Sequence, residues 1–172
     1  MSRELLSDKS HFWIGMCEPE RLIIVFSTAY NNFDISFLVL HAIFLQYGYS
    51  ILYLKNLDRG MFADGCPGFG TSIDTMQRGL EAFINSHGIV ETFVTGFSSG
   101  GYASLYLAGQ IGASSYLGCG IKTDWSRTSI KKTSLGRVSP SLQDHENKTL
   151  TDLVSFLPMS KNWKGKADLW EA

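Results

Sequence analysis

The residues Gly96-Phe97-Ser98-Ser99-Gly100 close the apolar run Thr92-Phe93-Val94-Thr95 and lead directly into Gly101-Tyr102-Ala103-Ser104-Leu105. A Gly-x-Ser-x-Gly pattern between a strand and a helix is the signature of a nucleophile elbow, which makes Ser98 the candidate nucleophile. At such a turn the chain reverses within a few residues, so the serine sits in a strained backbone conformation. Small neighbours are needed wherever a Cβ would collide with the adjoining strand or helix, and Gly96, Gly100 and Gly101 supply them. The turn also aims the first amides of the following helix at the serine, so that the Ser99 N–H can stabilise an oxyanion with the help of the helix dipole. The chemistry such a site performs is acyl transfer. A Gly/Ser-rich turn without chemistry has the same composition, so the surrounding elements must decide.

Those elements alternate. His11 to Met16 is expected as a short edge strand, and Arg21 to Ser27 as a strong one that is apolar on both faces, as a central parallel strand covered on each side would be. Phe33 to Tyr47 carries apolar residues and His41 at helical spacing, with Gly48 as its C-terminal cap, and Tyr49 to Lys55 is the next strand. After a long loop, 56–70, Thr71 is expected as the N-cap of a helix whose apolar face is Ile73, Met76, Leu80, Phe83 and Ile84, ending at His87-Gly88. Glu91 to Phe97 feeds Ser98, Tyr102 to Ile111 leaves it, and Ser115 to Ile121 is a further small-residue strand. Such alternation implies right-handed crossovers and a mostly parallel sheet with helices on both faces, a three-layer α/β/α sandwich with its reactive loops at the carboxyl ends of the strands. Ser98 and Asp124 both fall at such ends. Beyond Asp124 the chain turns polar, with Gly136 and Pro140, and the sheet is expected to stop. Thr151 to Leu157 reads as a short helix ended by Pro158.

A chain of 172 residues is the length of one domain, with its core at about 11–125 and an irregular segment at 126–172. A net charge of −1 with interspersed signs leaves no electrostatic footprint for nucleic acid. Met1 to Lys9 carries acids and lacks an apolar stretch, so it does not read as a signal peptide, and no apolar run is long enough for a bilayer span; a cytoplasmic location is expected. Cys17, Cys66 and Cys119 are odd in number, far apart and without metal-ligand spacing, which suggests reduced thiols and no metal site.

The order strand, helix, strand, Gly-containing loop, helix, then Val94-Thr95-Gly96-Phe97-Ser98-Ser99-Gly100-Gly101 resembles the central part of an α/β-hydrolase. More narrowly, Gly65-Cys66-Pro67-Gly68-Phe69-Gly70 ahead of Ser72-Ile73-Asp74, followed by the Ser98 elbow and Gly118-Cys119-Gly120-Ile121, is similar to a group of bacterial hydrolase-like proteins whose genes accompany surface polysaccharides or glycoprotein export. The resemblance covers roughly residues 20–125 and implies a fold and a serine nucleophile. An α/β-hydrolase continues past the strand at 115–121 with two more strands, the first followed by the triad acid and the second by the catalytic histidine. The sequence shows neither clearly, so the fold is expected to be truncated after the strand that follows the elbow.

A serine hydroxyl is a weak nucleophile and needs a base in hydrogen-bond reach, oriented by a third group. His11 begins the first strand, His41 lies on the apolar side of its helix, and His87 caps a helix end. His145 alone follows Ser98, as the fold's order of serine, acid and histidine requires; its other reading is a solvated loop residue in Gln143-Asp144-His145-Glu146-Asn147. Asp124, ending the next strand, is the preferred acid over Asp144, although it equally suits a turn cap. The resemblance places the second oxyanion donor in the loop after the strand at 21–27, at Thr28 or Ala29, with Thr28 first. Loop 56–70 borders the same edge as a substrate entrance; it lacks the end of a P-loop, and its glycines alone imply flexibility.

The expected function is a serine hydrolase, esterase-like, or an acyltransferase. It would act through an acyl-enzyme on Ser98, with Ser99 and Thr28 as oxyanion donors and His145 and Asp124 as base and orienter, on a small ester or acylated carbohydrate and without a cofactor. The alternative is a catalytically inactive hydrolase-like domain that binds a partner, or a fragment of a longer hydrolase. An open sheet edge at 115–121 would favour a homodimer.

Overall fold

The computed structural model describes residues 5–7, 11–14, 20–28, 30–33, 36–55, 62–121 and 166–170, with backbone alone for 5–7, 11–14, 37 and 166–170. Among the described residues, seven strands form one sheet: β1 (Leu5–Ser7), β2 (His11–Ile14), β3 (Arg21–Phe26), β4 (Ser50–Leu54), β5 (Glu91–Phe97), β6 (Ser115–Cys119) and β7 (Lys166–Trp170). Their spatial order is β1-β2-β4-β3-β5-β6-β7. The pairs from β4 through β7 are parallel, and the β1–β2 and β2–β4 pairs are antiparallel.

Alternate side chains of the central strands feed two cores. Leu22, Ile24, Phe26, Leu52, Leu54, Val94 and Tyr116 face α2 (Ile73–Ser86) and α3 (Gly101–Gln110), which contribute Ile73, Met76, Leu80, Leu105, Leu107 and Ala108. Ile23, Val25, Ile51, Tyr53 and Phe97 face α1 (Phe37–Gln46), which contributes Leu40, Phe44 and Leu45. The double-sided apolar run of β3 is therefore buried on both faces, and each full burial of a side chain this size stabilises by about 1.5–3 kcal/mol. The β3-to-β4 connection steps one way across the sheet while the β4-to-β5 and β5-to-β6 connections step the other. Right-handed crossovers then put α1 on one face and α2 and α3 on the other, giving the expected three layers.

Several expectations shift. The first helix starts at Phe37, four residues late, because Asn31 takes a positive φ of 58° and Phe33 is drawn into the core with its ring 5.2 Å from that of Tyr53. The N-cap of α2 is Ser72 and not Thr71: its hydroxyl accepts from the Thr75 amide, and the Thr75 hydroxyl accepts from the Ser72 amide. His11 does not begin an edge strand, since β1 pairs outside β2. The sheet continues past β6, where β7 pairs in register from Ser115↔Lys166 to Cys119↔Trp170 and closes the edge expected to be open. The expected helix at 151–157 lies outside the described residues.

Candidate active site

The carboxyl ends of the parallel strands lie level with one another. Phe26 pairs with Leu54 and Gly96, Phe97 with Cys119, and Cys119 with Trp170. Ser98 therefore leaves the sheet between the end of β3 on one side and the end of β6 on the other.

Ser98–Gly100 make a single 3-10 turn before α3 begins at Gly101. Ser98 holds φ at +48°, in the left-handed region, which only two other described non-glycine residues enter, Asn31 and Phe62. A left-handed serine is strained, and the turn holds it by close packing on three sides. A Cβ on Gly100 would lie 2.2 Å from the Ser27 carbonyl oxygen, one on Gly101 2.1 Å from Cγ2 of Ile121, and one on Gly96 1.9 Å from Oγ of Ser104. The elbow thus presses against the end of β3, the chain leaving β6 and its own helix. Ser98 itself is exposed. The Gly101 amide donates to the Ser98 carbonyl, which ties the turn shut. The Ser99 amide, one residue into the turn, has no carbonyl behind it within the turn to receive it. The Ser99 hydroxyl is buried without a hydrogen-bond partner.

Thr28 sits beside this turn, one residue past Ser27, but its amide donates to the Asn32 carbonyl at 2.8 Å and is engaged. The Asn31 amide returns to the Thr28 carbonyl at 3.1 Å, and the Tyr30 amide to the Thr28 hydroxyl at 3.2 Å. The Thr28 backbone hydrogen thus spans the loop, a use the sequence does not reveal. Ala29, the other amide weighed, lies outside the described residues.

The described part of the glycine-rich loop bordering the same edge, residues 62–70, is packed. Phe62 stands edge-on to Phe26 with ring centroids 5.1 Å apart, and Phe62, Ala63, Cys66 and Phe69 are buried. Gly65 takes φ +75° where a Cβ would meet the Gly70 carbonyl oxygen at 2.3 Å. Its glycines allow the loop to fold closely on itself and against α2.

Of the histidines, His41 is half-buried with Nδ1 3.3 Å from the Tyr53 hydroxyl, and His87 closes α2 with Nδ1 2.9 Å from the Phe83 carbonyl oxygen. Both positions match a boundary residue and a helix cap. Asp124, Asp144 and His145 lie outside the described residues. The residue after β7 in sequence is Glu171. Among the described residues no group of three or more His, Cys, Asp or Glu gathers as metal ligands would, and no helix is long and apolar enough to cross a membrane.

No protein-family model matches the sequence, and no curated protein sequence is significantly similar to it. Solved structures are similar in fold. S-formylglutathione hydrolase from Staphylococcus aureus superposes with a TM-score of 0.65 at 11% identity, over 92% of this chain and 71% of that one. An α/β hydrolase enzyme from a sediment metagenome of the Mar Chica lagoon gives 0.55 at 14% identity, over 98% and 87%. The fold is that of an α/β-hydrolase. An esterase of Pyrococcus furiosus adds a TM-score of 0.58 at 14% identity, over 98% of this chain and 70% of that one. Identities this low establish the α/β-hydrolase fold of the chain and leave its chemistry to be argued from its own residues. Two features escaped the sequence: β7, and the hydroxyls of Ser104 and Tyr116 behind the elbow. The near approach of Ser104 to Gly96 had one signal, a small residue six positions after the nucleophile, too common to single out.

Proposed function

We propose that the chain is a serine hydrolase, esterase-like, or an acyltransferase, working through an acyl-enzyme on Ser98. The observation that carries this reading is the exposed Ser98 held left-handed at the start of the elbow turn, with Gly100 packed on the end of β3. Strain at one exposed serine, maintained by three close contacts, is what a fixed nucleophile requires and what a plain turn would relax.

In this reading the Ser98 hydroxyl attacks an ester carbonyl, its proton passes to a base, and the tetrahedral oxyanion accepts hydrogen bonds from the Ser99 amide and from the turn after β3, where Ala29 replaces Thr28 as the donor. Collapse expels the alcohol, which takes the proton back, and water or a second alcohol then removes the acyl group. His145 is the proposed base. Asp124 and Glu171 compete to orient it: Asp124 follows β6, and Glu171 follows β7, the first strand beyond β6. The proposed substrate is a small ester or an acylated carbohydrate, with no cofactor, and self-association would use the outer edge of β7.

Release of acetate from acetylated oligosaccharides and simple acetyl esters tests this reading. The native chain should release it catalytically and Ser98→Ala should not, and the weaker of Asp124→Asn and Glu171→Gln identifies the orienting acid. Equal release by native chain and Ser98→Ala would refute it.

A further inference from the structure

Behind the elbow, on the side away from solvent, two hydroxyls meet one backbone carbonyl. The Ser104 hydroxyl lies 2.8 Å from the Gly101 carbonyl oxygen, the Tyr116 hydroxyl 3.2 Å from the same oxygen, and the two hydroxyls 3.0 Å from each other. Ser104 is fully buried and Tyr116 is 1% exposed. Gly101 is the first residue of α3, so its carbonyl already has the helical amide of the next turn available to it. Each hydroxyl carries one hydrogen, so two hydrogens serve three close contacts and the cluster can share them in more than one pattern.

Room for the hydroxyls is cleared by glycines on two strands. A Cβ on Gly96 would overlap Oγ of Ser104, and one on Gly118 would come within 2.9 Å of the Tyr116 hydroxyl. The first glycine of the Gly-x-Ser-x-Gly pattern thus admits a polar group. Burying two hydroxyls under a helix start costs desolvation that an apolar pair would avoid, and for packing alone alanine and phenylalanine would serve. What the hydroxyls add is direction: a hydrogen bond from β6 to the first carbonyl of α3 sets where that helix begins relative to the sheet. The Ser98–Gly100 turn has only Gly101 between it and that anchor at its far end.

We infer that Tyr116 and Ser104 are positioning residues for the elbow, which fix the start of α3 through the Gly101 carbonyl and so place the Ser98 hydroxyl and the Ser99 amide for attack. The inference rests on the proposed hydrolase reading. Burial pushes the Tyr116 phenol up, with the Ser104 contact opposing, so the hydroxyl stays protonated and can donate throughout the neutral range.

Steady-state hydrolysis of p-nitrophenyl acetate by the native chain, Tyr116→Phe, Ser104→Ala and the double variant tests it, with melting curves of all four. Displacement of a reacting group by a fraction of an ångström should lower kcat about tenfold in the double variant, with KM nearly unchanged and the same pH profile. The double variant leaves no hydroxyl unpaired, so its melting temperature should stay near native while its kcat stays low. A kcat that remains native, or that falls only in variants that have lost stability, overturns the positioning role and leaves the hydrolase reading standing. A folded native chain that hydrolyses no ester overturns both.

Discussion

Gly100 brings its α-carbon so near the Ser27 carbonyl that a Cβ would lie 2.2 Å from the oxygen, so the elbow and the end of β3 form one packed unit. Gly100→Ala must push these two backbones apart. It should cost about 1–3 kcal/mol of stability and abolish reaction at Ser98. Gly48→Ala is the contrast: its φ of +76° is strained for alanine but nothing lies within 4 Å, so it should cost about 1 kcal/mol and leave reactivity intact. Denaturant unfolding and ester hydrolysis of both variants check the pair.

Ser98 holds φ +48° at a cost that glycine would not bear. Ser98→Gly should therefore stabilise the fold by about 1 kcal/mol while removing all activity, the opposite signs expected where strain serves a nucleophile. An unchanged or lowered unfolding midpoint would mean that the turn is relaxed.

The start of α2 depends on the reciprocal Ser72–Thr75 pair. Ser72→Ala should cost about 1 kcal/mol, and Thr71→Ala, whose neighbour carries the cap, much less. Thermal melts of the two variants decide between the caps.

Much of this fold is legible in the sequence because burial on both faces leaves an unbroken apolar run, as in residues 22–26, and because the strand feeding Ser98 has the same bounds in sequence and structure, Glu91–Phe97. What escaped depends on distant partners. Lys166-Ala167-Asp168-Leu169-Trp170 alternates charge with apolar residues after a long polar stretch, and only pairing with β6 marks it as a strand. The Thr28 amide belongs to Asn32 because of how one turn closes, which residue type does not encode. Loop 56–70 reads as flexible from its glycines until the contact of Phe62 with Phe26 supplies a core for it.

Burial pushes the Tyr102 phenol up to about 12, with Tyr106 adding to it, and raises Tyr53 and Tyr116 as well. A phenol whose folded pKa exceeds its unfolded value of about 10 stabilises fully below that value, and the contribution is lost as pH rises through the folded pKa. Stability should hold on the neutral side of about pH 10 and then fall steadily toward 12, with the tyrosinate absorbance of the buried Tyr53, Tyr102 and Tyr116 appearing late and together with unfolding. Tyrosinate absorbance that reaches its full amplitude for all seven tyrosines while the fold persists would contradict the burial of these rings.

The most direct test of the central claim is intact-mass detection of covalent labelling by a fluorophosphonate, applied to the native chain and to Ser98→Ala. A single adduct on the native chain, mapped to Ser98 and absent from the folded Ser98→Ala variant, is the expected result. No adduct on a folded native chain, or an equal adduct on both, would contradict the assignment of Ser98 as a nucleophile.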